Sequence, residues 1–202
     1  MAASNTIATG PRGQALTDAA LRVIGRAGLD GVTHRAVAAE AGVSLGAVTH
    51  HFPTRDAIVD AALRSAVSRE VGRLQALAFT LQHKAFDIGA WIDALVGWYA
   101  SELRSNGETH IACYEAMLAA ARSARHRAAV AELFNTWQAS AELALRAAGS
   151  VAPRLHAELF VSALVGRLLQ QLAVPSRHFR RDTTAALTTL VHALAGGAGR
   201  RR

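Results

Sequence analysis

Val32–Phe52 reads V-T-H-R-A-V-A-A-E-A-G-V-S-L-G-A-V-T-H-H-F, and its punctuation decides the fold. Thr33 stands where a helix N-cap belongs, with Val32 before it and Val37 after it at the spacing of a hydrophobic staple. Ser44 repeats that grammar with Val43 and Val48. Between the two starts, Ala41-Gly42-Val43 breaks the first helix, and Gly42 gives the tight turn its conformational freedom. Helix, glycine-containing turn, helix is the layout of a helix-turn-helix DNA-binding unit.

The second helix is too short to persist alone, because nucleation costs more than so few hydrogen bonds return. Packing must hold it, and Val48 and Phe52, one turn apart, are its anchors. Leu45, Gly46, Thr49 and His50 are left facing outward, with His51 at the helix end. A surface glycine costs a helix about 1 kcal/mol relative to alanine. Gly46 therefore implies something that approaches the backbone closely, and the floor of a DNA major groove fits. The competing reading is an ordinary helical hairpin whose glycines serve packing alone.

The flanks carry a resemblance. Ala19–Gly28 reads A-A-L-R-V-I-G-R-A-G, Ala38–Val48 fits A-x-x-A-G-V-S-x-G-A-V, and His51-Phe52-Pro53 runs into Thr54-Arg55-Asp56-Ala57-Ile58. With Thr33, this pattern across residues 13–63 resembles the N-terminal domain of the TetR (tetracycline repressor) family of bacterial transcriptional regulators. The resemblance covers about a quarter of the chain. It implies that Thr33, Ser44, His51 and Arg55 set the register on phosphates while Leu45, Gly46, Thr49 and His50 meet the bases, with Arg35 a further DNA-binding residue. One position departs from the pattern: Thr49 stands where the family usually has an aromatic residue, three before Phe52. A threonine there offers a hydroxyl to a phosphate or base edge, or a methyl to thymine.

Composition sets bounds on the rest. The 202 residues suffice for a small domain and a larger one, and 51% hydrophobic content with 4 prolines favours a helical globular protein over disorder. No apolar run approaches the roughly 18–20 residues of a membrane span. The start, M-A-A-S-N-T-I-A-T-G, lacks the basic and apolar regions of a signal peptide. The single cysteine, Cys113, forms no internal disulfide framework and suits a reducing cytoplasm. The net charge of +7 lies mostly outside the helix-turn-helix region: residues 1–65 hold six arginines against five acids. The motif, rather than bulk charge, carries the DNA reading.

Along the chain the periodicity predicts nine helices and an all-α fold. Residues 1–13 read as an N-terminal arm whose only basic residue is Arg12. The first helix should run from Gln14 to Ala27, with Leu16, Ala20, Val23 and Ile24 on one face and Gly28 as its stop. A fourth helix starts at Thr54 and carries Ile58, Ala62, Ala66 and, more loosely, Leu74 and Leu77. Helices are then expected over Ile88–Leu103, Thr109–Ser123, Arg125–Ala148, Pro153–Val174 and Thr183–Leu194. Asp182 would cap the last of these, and Gly196-Gly197 would stop it. The domains expected are the arm, a helix-turn-helix domain over 14–63 with the motif at 33–52, a helical ligand-binding and dimerisation domain over 64–196, and a basic tail over 197–202.

The helix from Pro153 carries two apolar stripes. Leu155, Leu159, Ser162, Gly166 and Leu169 form one; Phe160, Leu164, Leu168 and Leu172 form the other. A surface helix needs a single stripe, so the second calls for another partner. Leu187, Leu190, Val191 and Leu194 add an apolar face to the last helix. The resemblance implies that these two helices pair with their copies as a four-helix dimer interface. The alternative is a thick monomer core.

The resemblance also implies a small-molecule pocket in the C-terminal domain. Its candidates are Trp91, Asp93, Trp98, Tyr99, Cys113, Tyr114, Met117 and Trp137: aromatic and apolar lining with a few polar groups. The same residues would equally make a core. His110 and Cys113, at i and i+3 with Glu108 and Glu115 nearby, raise an enzyme alternative, although no four-ligand metal spacing or complete catalytic set accompanies them.

The chain therefore reads as a cytoplasmic, all-α, homodimeric transcriptional regulator. As a repressor it would hold a palindromic double-stranded operator and respond to a small-molecule effector, with no metal, cofactor or membrane partner. A helical dimer whose helix-turn-helix no longer reads DNA is the other alternative.

Overall fold

The computed structural model describes residues 10–81 and 86–196, with side chains over 10–73 and 86–194. The expected arm residues 1–9, the stop at Gly197, the tail 197–202 and the side chains of Leu74 and Leu77 lie outside the described residues. Within them are nine α-helices and no strand.

Helix α1 (Pro11–Ala27) starts three residues earlier than the periodicity predicts. Pro11 is the reason: its fixed φ and missing N–H suit the first helical turn, and Gln14 N donates to Gly10 O at 3.0 Å. Arg12 and Gly13 thus belong to the helix, not to an arm. Helix α2 (His34–Ala41) and α3 (Leu45–His51) match the motif reading, and α4 (Arg55–Leu81) opens after a Thr54 cap that accepts from Ala57 N at 3.1 Å. Next come α5 (Ile88–Ser105), α6 (Gly107–Arg122), a 3₁₀ turn at Ala124–His126 in place of the expected helical start at Arg125, and α7 (Arg127–Ala147). Helix α8 (Pro153–Ala173) follows, and α9 (Phe179–Gly196) begins four residues before the expected Thr183. Buried Phe179 anchors that extra turn, so Asp182 lies inside the helix instead of capping it.

The chain forms two compact units. The first takes residues up to 69 together with 106–130; the second takes 70–105 and 131 onward. In the first, α1 packs on both α2 and α6. The α1–α6 approach is close enough that a Cβ on Gly25 would fall 2.6 Å from the Glu108 Cα, so only glycine fits there. Leu16, Ile24, Val32, Val37, Val48 and Ile58 are all fully buried in this unit, each side chain contributing about 1.5–3 kcal/mol of transfer free energy. In the second unit α9 packs on α5 and α8, Trp91 meets Phe160 with ring centroids 5.3 Å apart, and Arg180 Nη2 donates to Asp93 Oδ2 at 2.6 Å.

Candidate nucleic-acid interface and effector residues

The reading unit is assembled by caps. Thr33 Oγ1 accepts from Ala36 N at 3.0 Å and Ser44 Oγ from Ala47 N at 3.3 Å, satisfying one orphan N–H at each helix start. Gly42 sits at φ 65°, ψ 34°, and the chain doubles back as Val43 N donates to Ala38 O (3.0 Å) and Gly42 N to Ala39 O (3.3 Å). This paired closure lets α3 leave at an angle to α2. Val48 and Phe52 are buried and pin α3, and Phe52 N caps the helix on Val48 O at 2.8 Å.

Three contacts that the sequence reading missed hold this unit in place. His34 Nε2 donates to Phe52 O at 2.7 Å, tying the start of α2 to the end of α3. Glu40 accepts from Arg22 Nε at 2.5 Å and also from Arg26, locking α2 against α1. These two guanidinium hydrogen bonds hold the Glu40 carboxyl below the ordinary glutamate range. Arg55 donates from Nε to Val32 O at 2.9 Å and from Nη2 to Leu29 O at 2.6 Å. Its fork is thus engaged with the turn that precedes the first N-cap.

The outward face of α3 is as expected from the spacing: Leu45, Gly46, Thr49 and His50 are exposed, and His51 is half-buried. A Cβ placed on Gly46 would meet nothing closer than Ser44 Oγ at 3.9 Å, so nothing within the chain demands glycine there. Thr49 Oγ1 donates back to Gly46 O at 3.1 Å, with Leu45 O at 3.3 Å. Its proton is therefore used inside the helix, and its methyl and oxygen lone pairs are what it presents outward. Arg35 is exposed, with no ion pair among the described residues.

This arrangement is matched by the family comparisons. Residues 16–62 match the model of bacterial regulatory proteins of the tetR family, and residues 87–197 match the tetracyclin repressor-like C-terminal domain. The chain belongs to the TetR family. Among solved structures, the multidrug binding protein EbrR complexed with proflavin is 32% identical over 89% of this chain and 99% of its own, at a TM-score of 0.60. A TetR-family member from Streptomyces coelicolor A3 is 32% identical over 90% and 98%, at a TM-score of 0.70. A transcriptional regulator from Rhodococcus sp. Rha1 shares the fold at a TM-score of 0.75 with 23% identity, over 93% and 97%. EbrR has also been solved with ethidium, at 34% identity over 89% and 98% and a TM-score of 0.63. No functionally curated protein matches the chain.

The effector candidates of this TetR-family chain fall in both units. Trp91 and Trp137 are buried and Asp93 and Trp98 half-buried in the second; Cys113 is buried and Tyr114 and Met117 half-buried in the first. Asp93, expected as a pocket polar group, is paired with Arg180. His110 and Cys113 of the enzyme alternative are both buried on α6. Within the second unit a cleft of about 500 Å³ opens between the ends of α5 and α8 and the start of α9. Leu103, Leu172 and Phe179 wall it, Arg104, Arg177 and Arg180 also line it, and none of the sequence candidates does so.

The two stripes of α8 separate cleanly. Phe160, Leu164 and Leu168 are buried and Leu172 half-buried, while Leu155, Leu159 and Leu169 are 56%, 44% and 48% exposed, with Ser162 and Gly166 exposed between them. On α9, Leu187 and Val191 are buried within the chain and Leu190 is half-buried, as is Leu194. No described helix is long and apolar enough to cross a membrane.

Proposed function

We propose that the protein is a homodimeric repressor that grips a palindromic operator through α3 of each subunit and is released by a small-molecule effector in its C-terminal domain. The observation that carries this reading is Gly46. It is an exposed helical glycine that costs stability and has no reason inside the chain, on a short helix pinned from behind by Val48 and Phe52. A backbone left bare on the outward face of a helix-turn-helix suits close approach to base edges.

In this reading Leu45, Gly46, Thr49 and His50 meet the bases. Thr33, Arg35, Ser44 and His51 set the register on phosphates, Arg35 as the cation without an internal partner. Arg55 acts mainly as a positioning residue, since its guanidinium holds the Leu29–Val32 turn. The exposed stripe of α8, with the outer residues Leu190 and Leu194 of α9, forms the dimer face. A two-fold dimer would space the two α3 helices by about one DNA turn, ~34 Å or a multiple. The protein would work in the cytoplasm, where the operator lies. Its effector belongs to the class exemplified by the dyes seen with EbrR, proflavin and ethidium. Helix α4 contributes to both compact units, and a tilt of α4 on effector binding would change the separation of the reading heads. Because coupling is reciprocal, operator DNA must then weaken effector binding by the same factor that effector weakens operator binding.

Selection of binding sites from random duplexes tests the reading. A palindromic consensus should emerge, and His50→Ala should change it. Arg35→Ala should instead weaken all sequences alike and reduce the salt slope by about 1. Recovery of no consensus would favour the structural dimer with a non-reading motif.

A further inference from the structure

The cleft of about 500 Å³ at the ends of α5 and α8 and the start of α9 lies wholly within the second unit, and neither the DNA face nor the dimer face uses it. We propose that this cleft binds a small amphipathic anion, a carboxylate carried on a compact apolar body. This goes beyond the effector reading above. It adds a second ligand, of charge opposite to that of ethidium, in a cleft that none of the aromatic effector candidates lines.

The lining gives the sign of the guest. Arg104, Arg177 and Arg180 line the cleft and, among the described residues, no acid does. Guanidiniums gathered round one hollow repel each other, and a cleft lined by one sign of charge focuses its field on whatever enters. Only Arg180 has a counter-charge: its Nε and Nη2 donate to the Asp93 carboxylate at 3.3 and 2.6 Å. Arg104 and Arg177 have no ion pair among the described residues. The acids near them in sequence, Glu102 and Asp182, are paired with Arg73 and Arg181 instead. The cleft is left with the uncompensated charge of two guanidiniums.

The site is also held in shape before a guest arrives. Arg180 lies against the backbone of α5, where a Cβ on Gly97 would stand 3.3 Å from its Cζ, and the pair with Asp93 leaves its Nη1 unused. Arg177 Nε donates to His178 Nε2 at 3.1 Å. The loop carrying Arg177 is tied down by Gln171, whose amide accepts from Ser176 N at 2.9 Å and donates to Ser176 O at 3.3 Å. Side chains already fixed lose less freedom when they bind. A purely structural role accounts for Arg180, which ties α9 to α5, but not for Arg104 and Arg177. Leu103, Leu172 and Phe179 supply the rest of the wall, so a bare inorganic anion would leave apolar surface wet, and an apolar body would cover it.

The test uses the full-length protein with naphthoate as probe, naphthamide as its neutral counterpart and decanoate as an aliphatic acid. In titration calorimetry the wild type should bind a carboxylate about tenfold or more tightly than the amide. Arg104→Gln with Arg177→Gln should weaken carboxylate binding by about tenfold to a hundredfold, with helicity and amide binding unchanged. Arg180 is kept, because its removal would strand Asp93. Arg122→Gln with Arg146→Gln takes the same charge from exposed positions outside the cleft and should leave carboxylate affinity as it was. Binding of naphthoate or of decanoate with this dependence upholds the site and tells an aromatic acid from an aliphatic one. Equal losses in the two paired variants would mean general attraction to a basic protein and overturn it. Failure of both acids to bind the wild type, or binding indifferent to Arg104 and Arg177, overturns it as well. None of these outcomes touches the reading of a dye-like effector.

Discussion

Helices α3 and α8 each have a buried face and a bare one, and the chemistry of the bare faces separates their roles. Both are pinned from behind, α3 by Val48 and Phe52 and α8 by Phe160, Leu164 and Leu168. What α8 leaves outside is leucine at positions 155, 159 and 169, around Ser162 and Gly166. What α3 leaves outside is Leu45, Gly46, Thr49 and His50. A leucine-rich stripe with small residues at its centre gains most from meeting another apolar surface, with backbones brought close. A face with a glycine, a hydroxyl, an imidazole and a single leucine gains little from that. It can make the hydrogen bonds and methyl contacts that base edges ask for. Two helices of one protein thus advertise two different kinds of partner.

The largest effect should come from spoiling the apolar face. Leu155→Asp with Leu159→Asp places charge on the stripe without touching the buried one. The protein should sediment as a monomer of retained helicity, and operator affinity should fall by about a hundredfold to ten-thousandfold as bivalent binding is lost. A variant that stays dimeric would put the interface elsewhere.

A smaller effect, with two opposite signs, comes from the other face. Gly46→Ala removes a helix penalty and meets open space, so the protein should gain up to about 1 kcal/mol in denaturant unfolding. Operator affinity should nevertheless drop by about tenfold, because the added methyl stands where a base edge must approach. Stability and affinity moving together would mean that the face of α3 is not the reading face.

The smallest effect concerns how α3 is supported. Arg22 and Arg26 keep the Glu40 carboxyl below its ordinary range, so its contribution to folding is present above the unfolded glutamate pKa and fades as pH falls toward the lowered folded value. Glu40→Gln should therefore lower stability modestly at neutral pH, where the contribution is present, and flatten the acid limb of the stability–pH curve below about pH 4.5, so that variant and wild type converge in acid. An unchanged acid limb would show that the α1–α2 ion pairs do not hold the reading unit.

Local chemistry was legible in the chain; distant pairing was not. Thr33 and Ser44 as caps, Gly42 in the turn, Val48 and Phe52 as anchors and the double stripe of α8 are all written within a few residues of one another. The family pattern around them followed from the same stretch. The duty of Arg55 was hidden because its acceptors, the carbonyls of Leu29 and Val32, lie more than twenty residues upstream. The inclusion of 106–130 in the first unit was hidden for the same reason: Gly25 announces a close contact but not that Glu108 makes it. Pro11 was a readable helix start that the expectation of a mobile arm passed over. The buried acid Glu70 did leave a trace. Ile58, Ala62 and Ala66 advance in steps of four, and the next step on that buried line is Glu70, an acid in a row of apolar residues.

The grip of Arg55 on the Leu29–Val32 turn bears on how quickly the protein finds its target. Because that loop is braced from within, α2 and α3 reach the duplex already shaped, and their ordering entropy is spent during folding instead of at each encounter. Searching a chromosome then becomes a matter of repeated brief trials by a stiff probe, with rejection of wrong sequences as fast as dissociation allows.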